Sequence, residues 1–247
     1  MGRPTKNAAP DAEAIQADYY TRTADEYDAW HVNPGDEHYR ALAHISALVD
    51  LHGLRSLVDV GTGTGRALQY LARRHPDLEL RGVEPVEALR RRAHAERGVP
   101  EDAIDDARGE ALPYPDDSFD AACELGVLHH VADPAAVVRE MTRVARRAVF
   151  ISDDNRFGWG RLDQRLVRLA LWRTGLWDLA VRVRTRGRGY RISDDDGLAY
   201  SYSVFDSYDL LARWADDVLV VSTSDRPGSW RHPRLTADHV LLAAIRR

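Results

Sequence analysis

Strand-like runs alternate with helical patterns along the middle of the chain, and a glycine-rich turn joins the first such strand to its helix. These two observations predict a doubly wound α/β fold with a mainly parallel sheet and helices on both faces. A chain of 247 residues, 44% hydrophobic and 30% charged, fills one elaborated domain or two small ones. A sheet of this kind binds its ligand at the carboxyl ends of its strands.

Each element has a local reason. Residues 56–60 (SLVDV) form a buried strand that ends in glycines. Residues 67–74 place Leu68, Leu71 and Ala72 at helical spacing, and His75-Pro76 stops that helix. Residues 78–83 alternate like a strand, and 85–97 follow as a helix that Gly98 ends. Residues 119–125 (FDAACEL) are the next strand, after which Asp133-Pro134 supplies an N-cap and a first-turn proline. The helix so opened turns Val137, Val138, Met141 and Val144 inward. Residues 148–152 form another strand; a helix (207–215) and two strands (218–223, 239–245) come after a long interruption.

Composition narrows the function. No apolar run approaches the ~18 residues of a spanning helix. The opening MGRPTKNAAP, expected to be disordered, lacks the apolar centre of an export signal, so a cytoplasmic protein is expected. The single cysteine, Cys123, excludes an intrachain disulfide framework. A net charge of −5 argues against a generally nucleic-acid-binding surface. Charge is uneven, however. Residues 101–120 hold eight acids against Arg108, and residues 156–191 hold ten arginines against Asp163 and Asp178.

The decisive segment is residues 58–65, VDVGTGTG. Its glycines do not follow the G-x-G-x-x-G spacing of dinucleotide sites, and no G-K-[ST] follows. Glu84 ends the next strand, 19 residues beyond Gly65, where an acid accepts from both ribose hydroxyls. Together they suggest a nucleoside ligand without a pyrophosphate.

With VDVGTGTG, the segments GVEP (82–85), EALPYPDDSFD (110–120) and LGVLHHVADP (125–134) resemble, in order and spacing, the class I S-adenosylmethionine-dependent methyltransferases. The branch most similar includes the ubiquinone and menaquinone biosynthesis enzymes. The resemblance implies a Rossmann-like seven-stranded sheet, mostly parallel with one antiparallel edge strand, plus a helical cap insertion. It divides one domain into an N-terminal helical segment (1–55), a cofactor-binding core (56–152), a cap (153–205) and closing elements (206–247). The implied cofactor is S-adenosylmethionine, with S-adenosylhomocysteine as product.

By the same resemblance, Gly61, Thr62 and Gly63 face the methionine part of the cofactor, and Leu125 and Gly126 reach it through backbone. Glu84 holds the ribose, with Pro85, Val86, Gly109 and Glu110 near the adenine. Asp59 steadies the loop or reaches the amino group through water. Two departures stand out: Arg108-Gly109 replaces an acid usual in the family, and no Gly-Gly turn precedes the fifth strand.

Methyl transfer from a sulfonium needs alignment and, at times, removal of a proton. His129 and His130, on the ligand rim, are the candidate bases; the alternative is that they close the turn before Asp133. Asp153, Asp154 and Asn155 offer a hard oxygen set for Mg²⁺ or, more ordinarily, a cap or turn; no metal is expected. Tyr20, Tyr27 and His31 share a helical face that either closes over the cofactor or packs on the core. In the cap, Leu162, Leu166 and Leu169 oppose Arg161, Arg165 and Arg168. This is either an arginine-bearing lid for a planar or anionic acceptor, or a solvated face over a core-packed stripe. Acceptor contacts are expected from Asn155, Trp159, Tyr200 and Tyr202, with the acidic turn 194–196 offsetting part of the positive charge.

The reading is methyl transfer to O or N, or to C, of a small molecule, with a secondary metabolite favoured and a monomer or homodimer expected. The alternatives are an RNA methyltransferase gripping phosphates with the cap, and a cofactor-binding fold serving as a cyclase or non-catalytic module.

Overall fold

The computed structural model describes residues 10–31, 33, 35–193, 197–225 and 232–247, without the side chains of 10, 11, 13 and 25–31. The expectations for the first ten residues, for the side chains of Tyr27 and His31 and for the acidic turn 194–196 therefore lie almost entirely outside the described residues.

Nine strands occur among the described residues: β1 (Ser56–Val60), β2 (Glu79–Val83), β3 (Ile104–Asp105), β4 (Phe119–Leu125), β5 (Ala145–Asp154), β6 (Tyr190–Ser193), β7 (Gly197–Tyr200), β8 (Asp217–Ser222) and β9 (His239–Ile245). Seven of them form one sheet in the order β3-β2-β1-β4-β5-β9-β8. β1, β2, β3, β4 and β5 run parallel, and β9 pairs antiparallel with both β5 and β8. The order reverses between β1 and β4, which opens a crevice at their carboxyl ends. The helices are α1 (Pro10–His31), α2 (Glu37–His52), α3 (Arg66–Arg74), α4 (Glu87–Arg97), α5 (Pro134–Val144), α6 (Leu162–Arg173), α7 (Trp177–Arg184), α8 (Tyr208–Trp214) and α9 (Pro233–Thr236).

Side-chain alternation builds two cores. Val149, Ile151, Val240 and Leu242 face α5 and α8, while Ala148, Phe150, Leu241 and Ala243 face α2 and α3. Val137, Val138, Met141 and Val144 of α5 are all fully buried, as their spacing predicts. Asp133 caps α5 by accepting from Ala136 N, and Gly98 ends α4 at φ +66°. The missing Gly-Gly turn has a simple replacement. α5 passes into β5 at Ala145, and Arg146 anchors that strand to Asp120 at 2.8 Å.

The sequence reading missed β3, only two residues long, and the hairpin of β6 and β7. The cap is thus two helices followed by a hairpin. The expectation of a core-packed stripe on α6 fails: no residue of α6 is buried, and Leu162 and Leu166 are half exposed. The arginines turn inward instead. Arg165 and Arg168 donate to the carbonyls of Gly160 and Trp159, because the loop before α6 leaves those oxygens without helical partners.

Candidate active site

The turn after β1 places Gly61, Gly63 and Gly65 at φ +73°, +56° and +80°, a region that L side chains rarely adopt. A Cβ on Gly61 would lie 2.6 Å from Val127, whereas one on Gly63 would meet nothing within 4 Å. Gly63 therefore borders open space. Gly61 and Thr62 both donate to the Val83 carbonyl, which ties the turn to the end of β2. Thr62 Oγ1 donates to Asp59 Oδ2 at 2.5 Å, so Asp59 steadies the loop. Burial pushes Asp59 up to about 6, with the Thr62 and Cys123 donors opposing it.

Glu84 is buried at the end of β2. Its Oε2 accepts from Gly63 N at 3.0 Å and its Oε1 from Val86 N at 2.9 Å. Each carboxylate oxygen keeps capacity for another donor. Burial pushes Glu84 up to about 7 despite those two bonds, so further hydroxyl donors would relieve a poorly solvated charge. The arrangement fits a ribose. Pro85 is exposed beside it, and Val86 packs with Leu89, Ala24 and Tyr20. Tyr20 also meets the His130 ring edge-on, 5.8 Å between centroids, so α1 closes over this side.

Leu125 ends β4, and Gly126 follows at φ +74°, its N–H donating to Ser152 O. A Cβ on Gly126 would lie 2.8 Å from His38 Cε1. Gly109 packs between Val60 and Val137, where a Cβ would be 3.0 Å from each, and Glu110 follows in the same turn, partly buried.

The two histidines have separate surroundings. His129 Nδ1 lies 2.7 Å from Asp153 Oδ1, and Asp153 is fully buried. Burial would raise Asp153, but the charge and hydrogen bond of His129 hold it below the usual carboxylate range. Glu124 is pushed well up by burial and by the charge of Asp153. His130 Nδ1 instead lies 2.7 Å from Leu198 O and 3.1 Å from Gln16 Nε2, joining β7 and α1. His129 is thus hydrogen-bonded to a carboxylate, and His130 to a backbone carbonyl and an amide side chain.

A cavity of about 940 Å³ opens beside His129, walled by α6, α7 and the β6–β7 hairpin. Trp159, Tyr200 and Tyr202 all line it, as do Arg156 and Arg168. Tyr202 is nearly buried and its hydroxyl lies 2.7 Å from Ser207 Oγ, so it presents ring more than hydroxyl.

Asn155 requires a correction. It is fully buried, not an acceptor contact: its amide donates to the carbonyls of Arg234 and Ala237 at 2.8 and 2.7 Å, and its Oδ1 accepts from Phe157 N. The oxygen set of Asp153, Asp154 and Asn155 is therefore not assembled. Among the described residues, Glu37, His38 and His239 bring possible ligand atoms within 4.8 Å of one another. Sequence reasoning missed His38 and His239. Only the pairing of β9 with β5 and the seating of α2 bring them near Gly126, and no local pattern signals that.

Residues 58–151 match the methyltransferase domain family. A demethylmenaquinone methyltransferase of Deinococcus radiodurans is 37% identical over 112 residues, 44% of this chain and 45% of that protein. The 27-O-demethylrifamycin SV methyltransferase of Amycolatopsis mediterranei is 32% identical over 113 residues, 43% of this chain and 40% of that protein. The chain spans less than half the length of these curated relatives. Magnesium protoporphyrin IX methyltransferase of Synechocystis PCC 6803, solved with bound SAM, has the same fold. Its TM-score is 0.60 at 18% identity, over 98% of this chain and 100% of that one.

Proposed function

We propose that the chain is a class I S-adenosylmethionine-dependent methyltransferase and that it methylates an oxygen or nitrogen of a small molecule. The observation that carries this reading is the His129–Asp153 pair, a buried carboxylate orienting an imidazole at the wall of a large cavity. We take the acceptor to be a secondary metabolite, in keeping with the name of the Amycolatopsis relative.

S-Adenosylmethionine, when bound, supplies a methyl group already activated for in-line displacement. Glu84 and the Gly63 edge are the fitting partners for its ribose and methionine parts. His129 takes the acceptor's proton on Nε2 as the acceptor atom gains the methyl, and Asp153 accepts from Nδ1–H and balances the imidazolium charge. Trp159 and Tyr200 orient the acceptor, and α1 keeps water out on the Tyr20 side.

The test is a mass-spectrometric search for a methylated product with candidate acceptors and S-adenosylmethionine. Wild type should yield one, and His129→Asn should lose about 10²–10⁴-fold in rate while still binding S-adenosylhomocysteine. No binding of S-adenosylhomocysteine by wild type would overturn the reading.

A further inference from the structure

α6 and α7 pack against each other as a helical hairpin in which no residue is buried. Each helix has two opposed faces. On α6, Gln164, Val167, Arg168 and Leu171 line the cavity, while Leu162 and Leu166 lie on the far side, 56% and 50% exposed. On α7, Ala180, Val181 and Arg184 line the cavity, and Leu179 and Val183, with Leu176 at the N-cap, share another face, 60%, 73% and 50% exposed. Single exposed leucines are ordinary; five large aliphatics along two adjacent helices are a patch that wants a partner.

The charge around the patch identifies that partner. Residues 156–191 hold ten arginines and two aspartates; seven of those arginines are exposed, and of these Arg161, Arg173, Arg182, Arg186 and Arg188 lie outside the cavity that Arg184 and Arg191 line. The whole chain is at −5, so this segment runs against the overall charge, with the acids at 194–196 offsetting part of it. We propose that the outer face of α6–α7 docks on an anionic lipid bilayer. The leucines enter the headgroup boundary and the arginines pair with lipid phosphates. A second copy of the chain fits less well, because a two-fold pairing of this face sets the arginines of one cap against those of the other. RNA would satisfy the arginines but leave the leucines in water. The docking surface and the acceptor wall are thus two sides of the same two helices.

Vesicle co-sedimentation of the full chain tests this, with phosphatidylcholine alone against vesicles containing about one third phosphatidylglycerol. The chain should sediment with the anionic vesicles only, and roughly 0.5 M salt should release it by tenfold or more. The double variants Leu179→Ser/Val183→Ser and Arg182→Gln/Arg186→Gln should each weaken binding by about tenfold, with unchanged thermal unfolding and S-adenosylhomocysteine binding. No sedimentation with anionic vesicles, or sedimentation that ignores both variants, overturns the proposal. So does a dimer in sedimentation velocity that the Leu179→Ser/Val183→Ser variant dissolves while vesicles remain unbound, since the patch then joins two copies. S-Adenosylhomocysteine binding reports on the proposed methyl transfer separately, so either inference can fail alone.

Discussion

His129 Nδ1 and Asp153 Oδ1 lie 2.7 Å apart, with the carboxylate fully buried and the imidazole mostly so. This bond joins the turn after β4 to β5, and it decides which ring nitrogen holds the proton. An ionised Asp153 accepts from Nδ1–H and leaves Nε2 as the basic atom. Three neighbours govern that ionisation. The His129 charge opposes the burial of Asp153, burial and the Asp153 charge push Glu124 up, and burial holds the adjacent His239 below its ordinary value.

Asp153→Asn should therefore act through His129. The amide can donate where the carboxylate accepted, favouring the wrong tautomer, and turnover should fall about 10²–10⁴-fold. Affinity for S-adenosylhomocysteine should stay within about 0.5 kcal/mol, since the hydrogen bonds of Asp153 go to His129 and Asp154 N rather than to the Gly63 loop. A pH–rate profile separates positioning from mere loss of fold: the limb assigned to His129 should move in Asp153→Asn and vanish in His129→Asn.

Glu84 gives two opposite pH dependences. Its folded-state value of about 7 stands above the ordinary 4.5, because burial penalises the charge. Between those values the folded chain holds more protons than the unfolded one. The stabilising contribution is thus complete below about 4.5 and lost as pH rises through about 7. Asp59, raised from 3.8 to about 6, acts in the same sense. The melting temperature of wild type relative to that of Glu84→Gln should accordingly be lower near pH 8 than near pH 6. Ligand binding runs the other way. Ribose hydroxyls donate to the ionised carboxylate, so S-adenosylhomocysteine affinity should drop as pH falls through about 7, and Glu84→Ala should cost about 1.5–3 kcal/mol. Calorimetry across that range, with Glu84→Gln flat, is the check.

Gly126→Ala should damage the site more than its size suggests. The residue sits at φ +74°, and its Cβ would press to 2.8 Å from His38 Cε1. The strained backbone alone costs on the order of 1–3 kcal/mol. His38 must also move, so loss of S-adenosylhomocysteine binding should exceed what the drop in melting temperature explains.

Much of this was legible along the chain because the signals are local. The glycine turn, the Asp133-Pro134 cap and the inward stripe of α5 each follow from residues within one or two turns of one another, and all are found where expected. The cap was not legible. Helical spacing on α6 revealed an apolar stripe but not its direction, and only the tertiary arrangement turns Arg165 and Arg168 inward while exposing Leu162 and Leu166. The burial of Asn155 was hidden for the same reason, since its carbonyl partners lie some eighty positions away.

That reversal yields the last prediction, a contrast between Asn155 and Trp159. Asn155 holds the carbonyls of Arg234 and Ala237 and the N–H of Phe157, so its side chain pins the end of β5 to the segment before β9. Asn155→Ala leaves those buried groups unpaired, a loss of about 1–3 kcal/mol for each group left without a partner. The melting temperature should fall clearly, and the Michaelis constant for the acceptor should change little in whatever folded enzyme remains. Trp159 is the reverse case: 46% exposed, and on the wall of the cavity that His129 also lines. Trp159→Ala removes apolar surface from the cavity wall, so the Michaelis constant for the acceptor should rise, or acceptor choice broaden, with S-adenosylhomocysteine binding unchanged. Tyr200→Phe should follow Trp159, because Tyr200 lines the same wall. If Asn155→Ala alters acceptor kinetics without lowering stability, or Trp159→Ala lowers stability without altering those kinetics, the division between brace and acceptor wall is wrong.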